Sequence, residues 1–277
     1  MKKYCSLIIA VLFVFHLKAQ ELYVYTEPAS NMPAHSISTK LTGHFVSSDN
    51  IYGRFSQRYM PEVMLGINKK WMVHVSATFA NMHTDNFRFE SASLYAKYRF
   101  LSKDDIHKHF RMAVYADVSK TRSPFHYDEI SLMGDKGGVE LGLIVTQLMH
   151  KLAISAIVSN TQVLHKSRTD KVLYIPERGY QSLNYSLSAG FLVLPVEYTS
   201  YKQLNVNLYA ELLGQQLLDI KKHYVDIAPA VQFIFNSNAK LNIGYRFQLN
   251  SDMDRMTNNS WLVSFERTFL NALKKKK

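Results

Sequence analysis

Stretches in which apolar and polar residues alternate run along most of this chain. Beyond the N-terminal region, no run approaches the roughly eighteen apolar residues that a membrane helix needs. The clearest hairpin covers residues 63–82, with its turn at 68–70, and every second residue from Trp71 to Phe79 is apolar while His74 lies between them. Neighbouring side chains of a strand point to opposite faces, so each strand carries one apolar and one polar face. The pattern predicts a β-barrel whose apolar face contacts lipid and whose polar face lines the lumen.

About twelve such stretches are predicted as strands, and merged or missed boundaries would make the count ten or fourteen. They are expected at 36–46, 59–67, 71–82, 87–100, 110–119, 138–148, 152–165, 181–194, 203–213, 224–235, 240–249 and 260–269. Each is about long enough for a tilted transmembrane strand, which needs roughly nine to eleven residues. The predicted fold class is therefore all-β, a single antiparallel transmembrane barrel over residues 36–269.

The connections between these strands alternate in length. Those after the even-numbered strands are predicted at 68–70, 101–109, 149–151, 195–202 and 236–238, and three of them are tight. The opposite set includes the longer, polar connections 47–58, 120–137, 166–180 and 250–259, although 81–86 is short for an outer loop. Bacterial barrels keep short turns in the periplasm and longer loops outside. The alternation therefore predicts an even strand count with both termini in the periplasm.

The start of the chain predicts export. Lys2 and Lys3 precede an apolar run at 7–15, and Ala19 is a small residue where a signal peptidase would cut. This is the composition of a secretory signal peptide, residues 1–19, and the run is too short for a retained membrane anchor, which is the alternative. Cys5, the only cysteine, would be lost with the signal, so the mature chain would have no disulfide and no thiolate metal site. Signal and strands together predict the cell outer membrane.

Two terminal segments flank the predicted barrel. Residues 20–35, the N-terminal segment, mix tyrosines with prolines and either fold into the lumen as a plug or hang in the periplasm. Residues 270–277 end in four lysines and are predicted to be a solvated tail, since blocks of like charge usually stay disordered. After loss of the signal the chain has 30 basic and 22 acidic residues, and half of the resulting charge of +8 belongs to that tail. The basicity therefore does not indicate a nucleic-acid partner.

The last predicted strand carries Trp261, Phe265 and Phe269 on one face. It resembles the closing strand of Gram-negative outer-membrane proteins, whose terminal aromatic residue is part of the signal read by the barrel-assembly machinery. The lysine tail departs from that pattern, because the aromatic is not the final residue. The resemblance implies two partners: outer-membrane lipid, and the assembly machinery during biogenesis.

The faces opposite the apolar ones carry charges of both signs. The residues predicted to line the lumen are Lys40, His74, Arg111, Asp117, Glu140, Glu211, Asp226, Arg246 and Glu266. Charges away from bulk water are usually paired, so these side chains could form ion pairs that hold the wall. The alternative is a polar passage whose charges set its solute preference. Ile144, Ile157, Ile234 and Leu262 fall on the same face, which indicates a partly packed bore or bulges that shift the register.

Enzyme and metal chemistry are weakly indicated. His74-Val75-Ser76 has the His and Ser spacing of a twelve-stranded outer-membrane phospholipase family, but the Asn-Gly that follows the serine there is replaced by Ala77-Thr78. Both residues are also predicted to face the lumen, so no enzyme is expected. The sequence His107-Lys108-His109 offers two possible metal ligands, His107 and His109, but no third ligand follows at a fixed spacing. No metal and no cofactor are therefore expected.

Residues 26–34, and residues 226–235 leading into 241–246, resemble outer-membrane barrels of Bacteroidetes-type bacteria. They are similar, more loosely, to the barrel family named for the phenol meta-degradation pathway, which implies passage of hydrophobic or aromatic compounds but assigns no functional residues. The predicted function is a passive channel or transporter for a small solute. The alternative is a structural or partner-binding barrel that uses its outer loops, above all 120–137 and 166–180.

Overall fold

The computed structural model describes residues 23–50, 53–106, 108–123, 127–164, 178–197, 200 and 202–274. The predicted signal peptide, His107, residues 166–177 of a predicted outer loop and the last three lysines lie outside the described residues. Within the described ranges, no helix is long and apolar enough to span a membrane.

Twelve antiparallel strands form one closed barrel, which confirms the predicted fold class and strand count. Each strand pairs with its neighbours in sequence, and β1 pairs with β12 to close the ring. The strands are β1 Ser36–Val46, β2 Ser56–Gly66, β3 Trp71–Ala80, β4 Arg88–Asp104, β5 Lys108–Thr121, β6 Gly138–Met149, β7 Leu152–Val163, β8 Gln181–Leu194, β9 Asn205–Leu217, β10 His223–Phe235, β11 Ala239–Ser251 and β12 Asn259–Phe269.

The outer face of the barrel is apolar and the inner face polar, as the alternation predicts. Aromatic rings pair across neighbouring strands on the outside: Trp71 and Tyr98 lie 4.7 Å apart between centroids, as do Tyr245 and Trp261. Exposed apolar side chains of the strands include Leu41, Val63, Val75, Leu94, Val114, Val118, Leu141, Val158, Leu187, Phe191, Leu208 and Phe265. The residues buried inside include Ser38, Thr42, Thr78, Lys97, Thr146, Ser188, Asn207, Gln232 and Asn242.

Several strands are longer than predicted, and one predicted connection is wrong. The region 101–109 was expected to be a connection, but β4 continues to Asp104, β5 begins at Lys108, and only 105–107 join them. Strand β9 likewise runs on to Leu217 instead of ending at 213. The alternation fades at these ends because polar residues such as Ser102, Lys103, Gln215 and Gln216 occur on both faces, while the backbone ladder continues beyond the apolar band.

The connections divide the barrel into a turn end and a loop end. At the turn end, short connections such as 67–70, 105–107, 150–151 and 236–238 join the strands, and the N-terminal segment enters here. The described part of the C-terminal tail, 270–274, is also at this end, where the Leu273 N–H donates to the His35 carbonyl at 3.0 Å. At the loop end, residues 127–136 of the β5–β6 connection turn back into the barrel, where they contact the wall. Two segments that are not strands therefore occupy the lumen, one from each end.

Candidate functional site

The nine side chains predicted to line the lumen all lie inside the barrel, in two groups. Seven of them border a chamber: Lys40, His74, Asp117, Glu140, Asp226, Arg246 and Glu266. The other two, Arg111 and Glu211, instead bind the N-terminal segment. The chamber is bounded by that segment towards the turn end and by the β5–β6 connection towards the loop end.

Glu211 of β9 anchors the inner end of the N-terminal segment. Three consecutive backbone N–H groups, those of Val24, Tyr25 and Thr26, donate to its carboxylate at 2.8, 2.9 and 2.9 Å. The Thr26 hydroxyl adds a fourth bond of 2.7 Å. A carboxylate that accepts several N–H bonds is well satisfied away from water. This single side chain therefore holds one end of a segment that has no strand partner.

Lys97 of β4 provides the second anchor. Its side chain is fully buried, and its ammonium group donates to the Glu27 carboxylate at 2.7 Å and to the carbonyls of Pro28 and Ser30 at 2.8 and 3.0 Å. An ammonium group has three N–H donors, and this arrangement uses them on one short stretch of chain. Sequence analysis missed Lys97, although it shares a face with Tyr95 in the predicted fourth strand.

Apolar contacts complete the seat of the N-terminal segment. Ala29 is fully buried against Ala113 and Ile144, while Tyr23 and Val24 pack in a cluster that includes Leu148, Ala153, Tyr209 and Leu262. The Ala29 N–H also donates to the Thr146 hydroxyl at 2.9 Å. The inward apolar residues that appeared anomalous in the sequence, Ile144 and Leu262, thus pack beside this segment.

At the loop end, the β5–β6 connection is held by an ion-pair cluster. Glu129 accepts from Arg246 Nη2 at 2.9 Å and from Arg255 Nε at 3.0 Å. Both arginines also bind Asp226 of β10, to which Arg255 donates at 2.6 and 2.8 Å. Four alternating charges thus join the loop to the wall. Buried pairs of this kind leave costly uncompensated charge when one partner is removed.

A second group of contacts binds the 127–136 loop to another part of the wall, at β2. Asp135 is bound by both terminal nitrogens of Arg58, and His83 Nε2 lies 3.0 Å from its carboxylate. Between the two charge clusters, Gln215 of β9 exchanges two bonds with the backbone of Ile130, at 2.8 and 2.7 Å. The segment 127–136 therefore spans the lumen between β2 and β9. Glu129, Asp135 and Arg255 were missed because they lie in predicted loops, which alternation does not describe.

The chamber between the two segments has a volume of about 450 Å³. Small-molecule sites commonly measure roughly 300–1,000 Å³, so it is large enough for a small solute. Most of its lining residues are polar or charged, apolar side chains such as Met60, Met64 and Ile157 lie among them, and both closing segments contribute tyrosines. What the arrangement can do is hold a small molecule away from both openings.

The residues that weakly indicated an enzyme or a metal site form hydrogen bonds and ion pairs with neighbouring side chains. His74 Nδ1 lies 2.6 Å from Glu62 Oε1, and the Ser76 hydroxyl instead bonds to that of Ser93 at 2.6 Å. The predicted histidine pair falls partly outside the described residues at His107, while His109 Nδ1 lies 2.9 Å from Asp104. In the described part of the chain, no group of three or more His, Cys, Asp or Glu side chains could hold a metal ion.

Acidic pH should release the 127–136 loop. Burial acts to raise the pKa of the Glu129 carboxyl, but Arg255 and Arg246 outweigh it and lower the pKa to about 2. Burial is outweighed in the same way at Asp135, where Arg58 and His83 hold the pKa well below its usual range. Carboxyls with lowered pKa stabilise the bound loop above their free pKa of about 4, and that stabilisation is lost as the pH falls towards 2.

A spin label on Met133→Cys, an exposed loop position, would report this release. Its spectrum should be constant above about pH 5 and sharpen below about pH 3. A label on Asp49→Cys, exposed on another loop, is the control and should not respond. A Met133 label that stays immobile at about pH 2.5 in a folded barrel would contradict the role of these carboxylates.

Comparisons with known proteins agree with the barrel. The sequence matches no protein-family model and no curated protein. The fold is similar to that of an outer membrane channel from Pseudomonas putida F1, with a TM-score of 0.58 and 10% identity, covering 89% of this chain and 100% of that one. It is also similar to the NanC porin, with a TM-score of 0.50 and 11% identity, covering 83% of this chain and 98% of that one. At these identities the likeness shows the fold alone, that of an outer-membrane β-barrel. The resemblance to Bacteroidetes-type barrels and to the phenol meta-degradation family stays a prediction.

Proposed function

We propose that this protein is a passive outer-membrane channel for a small solute, closed at rest by two movable segments. The observation that carries the proposal is the polar chamber in the middle of a closed barrel whose outer face is apolar. The solved structures with a similar fold, a channel and a porin by their names, support it. A barrel that served only as a scaffold would not require an internal space lined by so many charged side chains.

The way in which the chamber is closed supports a channel that opens. The N-terminal segment and the 127–136 loop attach to the wall through side chains, not through the strand ladders that close the barrel. Side-chain anchors can be exchanged for water without breaking the barrel, whereas a lost ladder would leave backbone groups unsatisfied in lipid. Opening therefore requires only local movements at the two ends of the lumen.

The partner-binding alternative gains no support from the described loops. The 120–137 connection was expected to reach outward, but its described residues 127–136 fold inward and are largely buried. The other loop proposed for partner contact, 166–180, lies mostly outside the described residues. The charged wall also favours a polar solute over the hydrophobic compounds implied by the phenol meta-degradation resemblance.

Planar-bilayer recording of the refolded mature chain tests the proposal. We expect brief openings of small conductance, because both closures must move before ions can pass. Bilayers with the same amount of heat-denatured protein are the control and should stay silent. Silence of the native protein, together with silence of variants in which both closures are released, would contradict a channel function.

A further inference from the structure

We infer that the chamber binds a small organic ammonium ion against the part of its wall formed by β3–β6. The inference rests on the proposed function, since it names the class of solute that the proposed channel would hold.

The first argument is charge. Among the described residues, eight acidic and five basic side chains line the chamber. Six of the eight acids have a cationic partner within 4 Å. The partner of Glu27 is Lys97, which does not itself line the chamber. These six acids are Glu27, Glu62, Glu129, Asp135, Asp226 and Glu266. The remaining two, Asp117 and Glu140, form no ion pair within the described chain; Glu140 accepts only from the hydroxyls of Tyr115, Ser159 and Thr161. Among the described residues, the acidic side chains of the chamber in excess over cationic partners are therefore these two.

The second argument is position. His74, Tyr95, Asp117 and Glu140 are successive cross-strand partners, so they form one row across β3, β4, β5 and β6. The two uncompensated carboxylates are thus neighbours in the same wall. Beside them the rings of His74 and Tyr95 lie 4.9 Å apart between centroids, and those of Tyr95 and Tyr115 lie 5.2 Å apart. Aromatic faces attract cations within roughly 6 Å, and the attraction grows when water is excluded. The carboxylates and the aromatic rings therefore both favour a cationic ligand.

The third argument is a set of polar atoms that have no hydrogen-bond partner among the described residues. The His74 side chain is only 5% exposed; its Nδ1 faces Glu62, and its Nε2 is without a partner. The Tyr95 hydroxyl and Asp117 Oδ1 are likewise buried and without a partner. In the neutral ring, donation of Nδ1–H to Glu62 leaves Nε2 as an acceptor, so all three atoms can then accept a hydrogen bond. Buried polar groups are normally satisfied, and a primary ammonium group carries the N–H donors that acceptors of this kind require.

The chemistry of the wall favours an organic cation over a metal ion. The described residues contain no cluster of three or more metal-ligating side chains. A space of about 450 Å³ is also far larger than a bare ion requires. Stacked rings beside the carboxylates provide an apolar surface for the carbon skeleton of an amine.

Calorimetric titration of the full mature chain in detergent tests the inference. Three probes of nearly equal shape are used: benzylamine, benzyl alcohol and benzoate. We expect binding of benzylamine alone. The Asp117→Asn, Glu140→Gln double variant should weaken that binding by about tenfold or more, since charge-assisted hydrogen bonds of this kind contribute at least that much. Asp49→Asn, which removes an exposed charge far from the chamber, should leave the affinity unchanged.

Equal affinity for the three probes, or an equal loss in Asp49→Asn, would overturn the inference. Displacement of benzylamine by millimolar KCl would do the same, because it would assign the site to an inorganic cation. If the double variant fails to fold, Tyr95→Phe removes only a hydroxyl that has no partner among the described residues, and it should still weaken binding; unchanged affinity would again count against the site. Benzylamine binding without conductance would contradict the proposed channel function and support the ammonium site. Conductance without benzylamine binding would contradict the ammonium site alone.

Discussion

Removal of residues 20–33 together with Glu129→Gln and Asp135→Asn should convert a channel that opens briefly into one that conducts steadily. The deletion removes the segment held by Glu211 and Lys97, and the two substitutions remove the charges that tie the 127–136 loop to the wall. Because the two segments lie on opposite sides of the chamber, they close the same path in series. Releasing one leaves the other in place.

Single-channel recording distinguishes the two closures. The deletion alone, and the two substitutions alone, should each lengthen openings without producing a steady current. The loop carboxylates face arginines whose loss of a partner costs about 3 kcal/mol or more, which corresponds to roughly a hundredfold change in the population of the bound loop. Full conductance from the deletion alone would show that the loop is no barrier. A silent combined variant with a folded barrel would show that the chamber is not on a conducting path.

Lys97→Met should detach the N-terminal segment from the lumen. The substitution keeps the length of the side chain but removes three hydrogen bonds and leaves Glu27 near the wall without its partner. Burial acts to raise the pKa of Glu27, and Lys97 is the main group that outweighs it and lowers that pKa to about 2. The Glu27 side chain is 36% exposed, so the loss of its partner costs less than for a fully buried ion, and movement of the segment into water relieves that cost.

A spin label on Asn31→Cys follows the segment directly. Its spectrum should be broad in the otherwise unchanged chain and narrow in the Lys97→Met variant. Lys108→Met, which removes an exposed lysine at the start of β5, is the matched control and should leave the spectrum broad. A broad spectrum in both variants would mean that Glu211 and the apolar contacts of Ala29 hold the segment without help from Lys97.

Alternation in the sequence was sufficient for the barrel and for the inner face. Twelve strands, their pairing partners and the inward side of residues such as Asp226 and Arg246 follow from a period of two, because a strand has only two faces. The ends of β4 and β9 were misplaced because polar residues on both faces hide a ladder that continues beyond the apolar band. The two segments that close the lumen were harder to predict, since neither the N-terminal segment nor residues 127–136 have a period that fixes their position.

One signal of the closures was present in the sequence. Ile144 and Leu262 alternate onto the polar face, where apolar side chains are not expected if they line a water-filled passage. The structure explains them without a shift of register, because both lie in apolar clusters with residues of the N-terminal segment. The pairing of Glu129 with Arg255 had no comparable signal. Both residues lie in loops rich in charge, and only the folded chain shows which charges meet.

The position of the N-terminal segment has a consequence for how the barrel is made. The segment precedes β1 directly, yet its bonds are to β4, β6 and β9, which are synthesised later. Neighbouring strands can pair as local hairpins, but β1 and β12 join residues more than 200 positions apart, so we expect that seam to form last. Until then the sheet is an open ribbon with the segment attached at its first edge. We expect the binding of the segment by β4, β6 and β9 in turn to bring these strands around it, so that it favours curvature of the sheet before it closes the lumen.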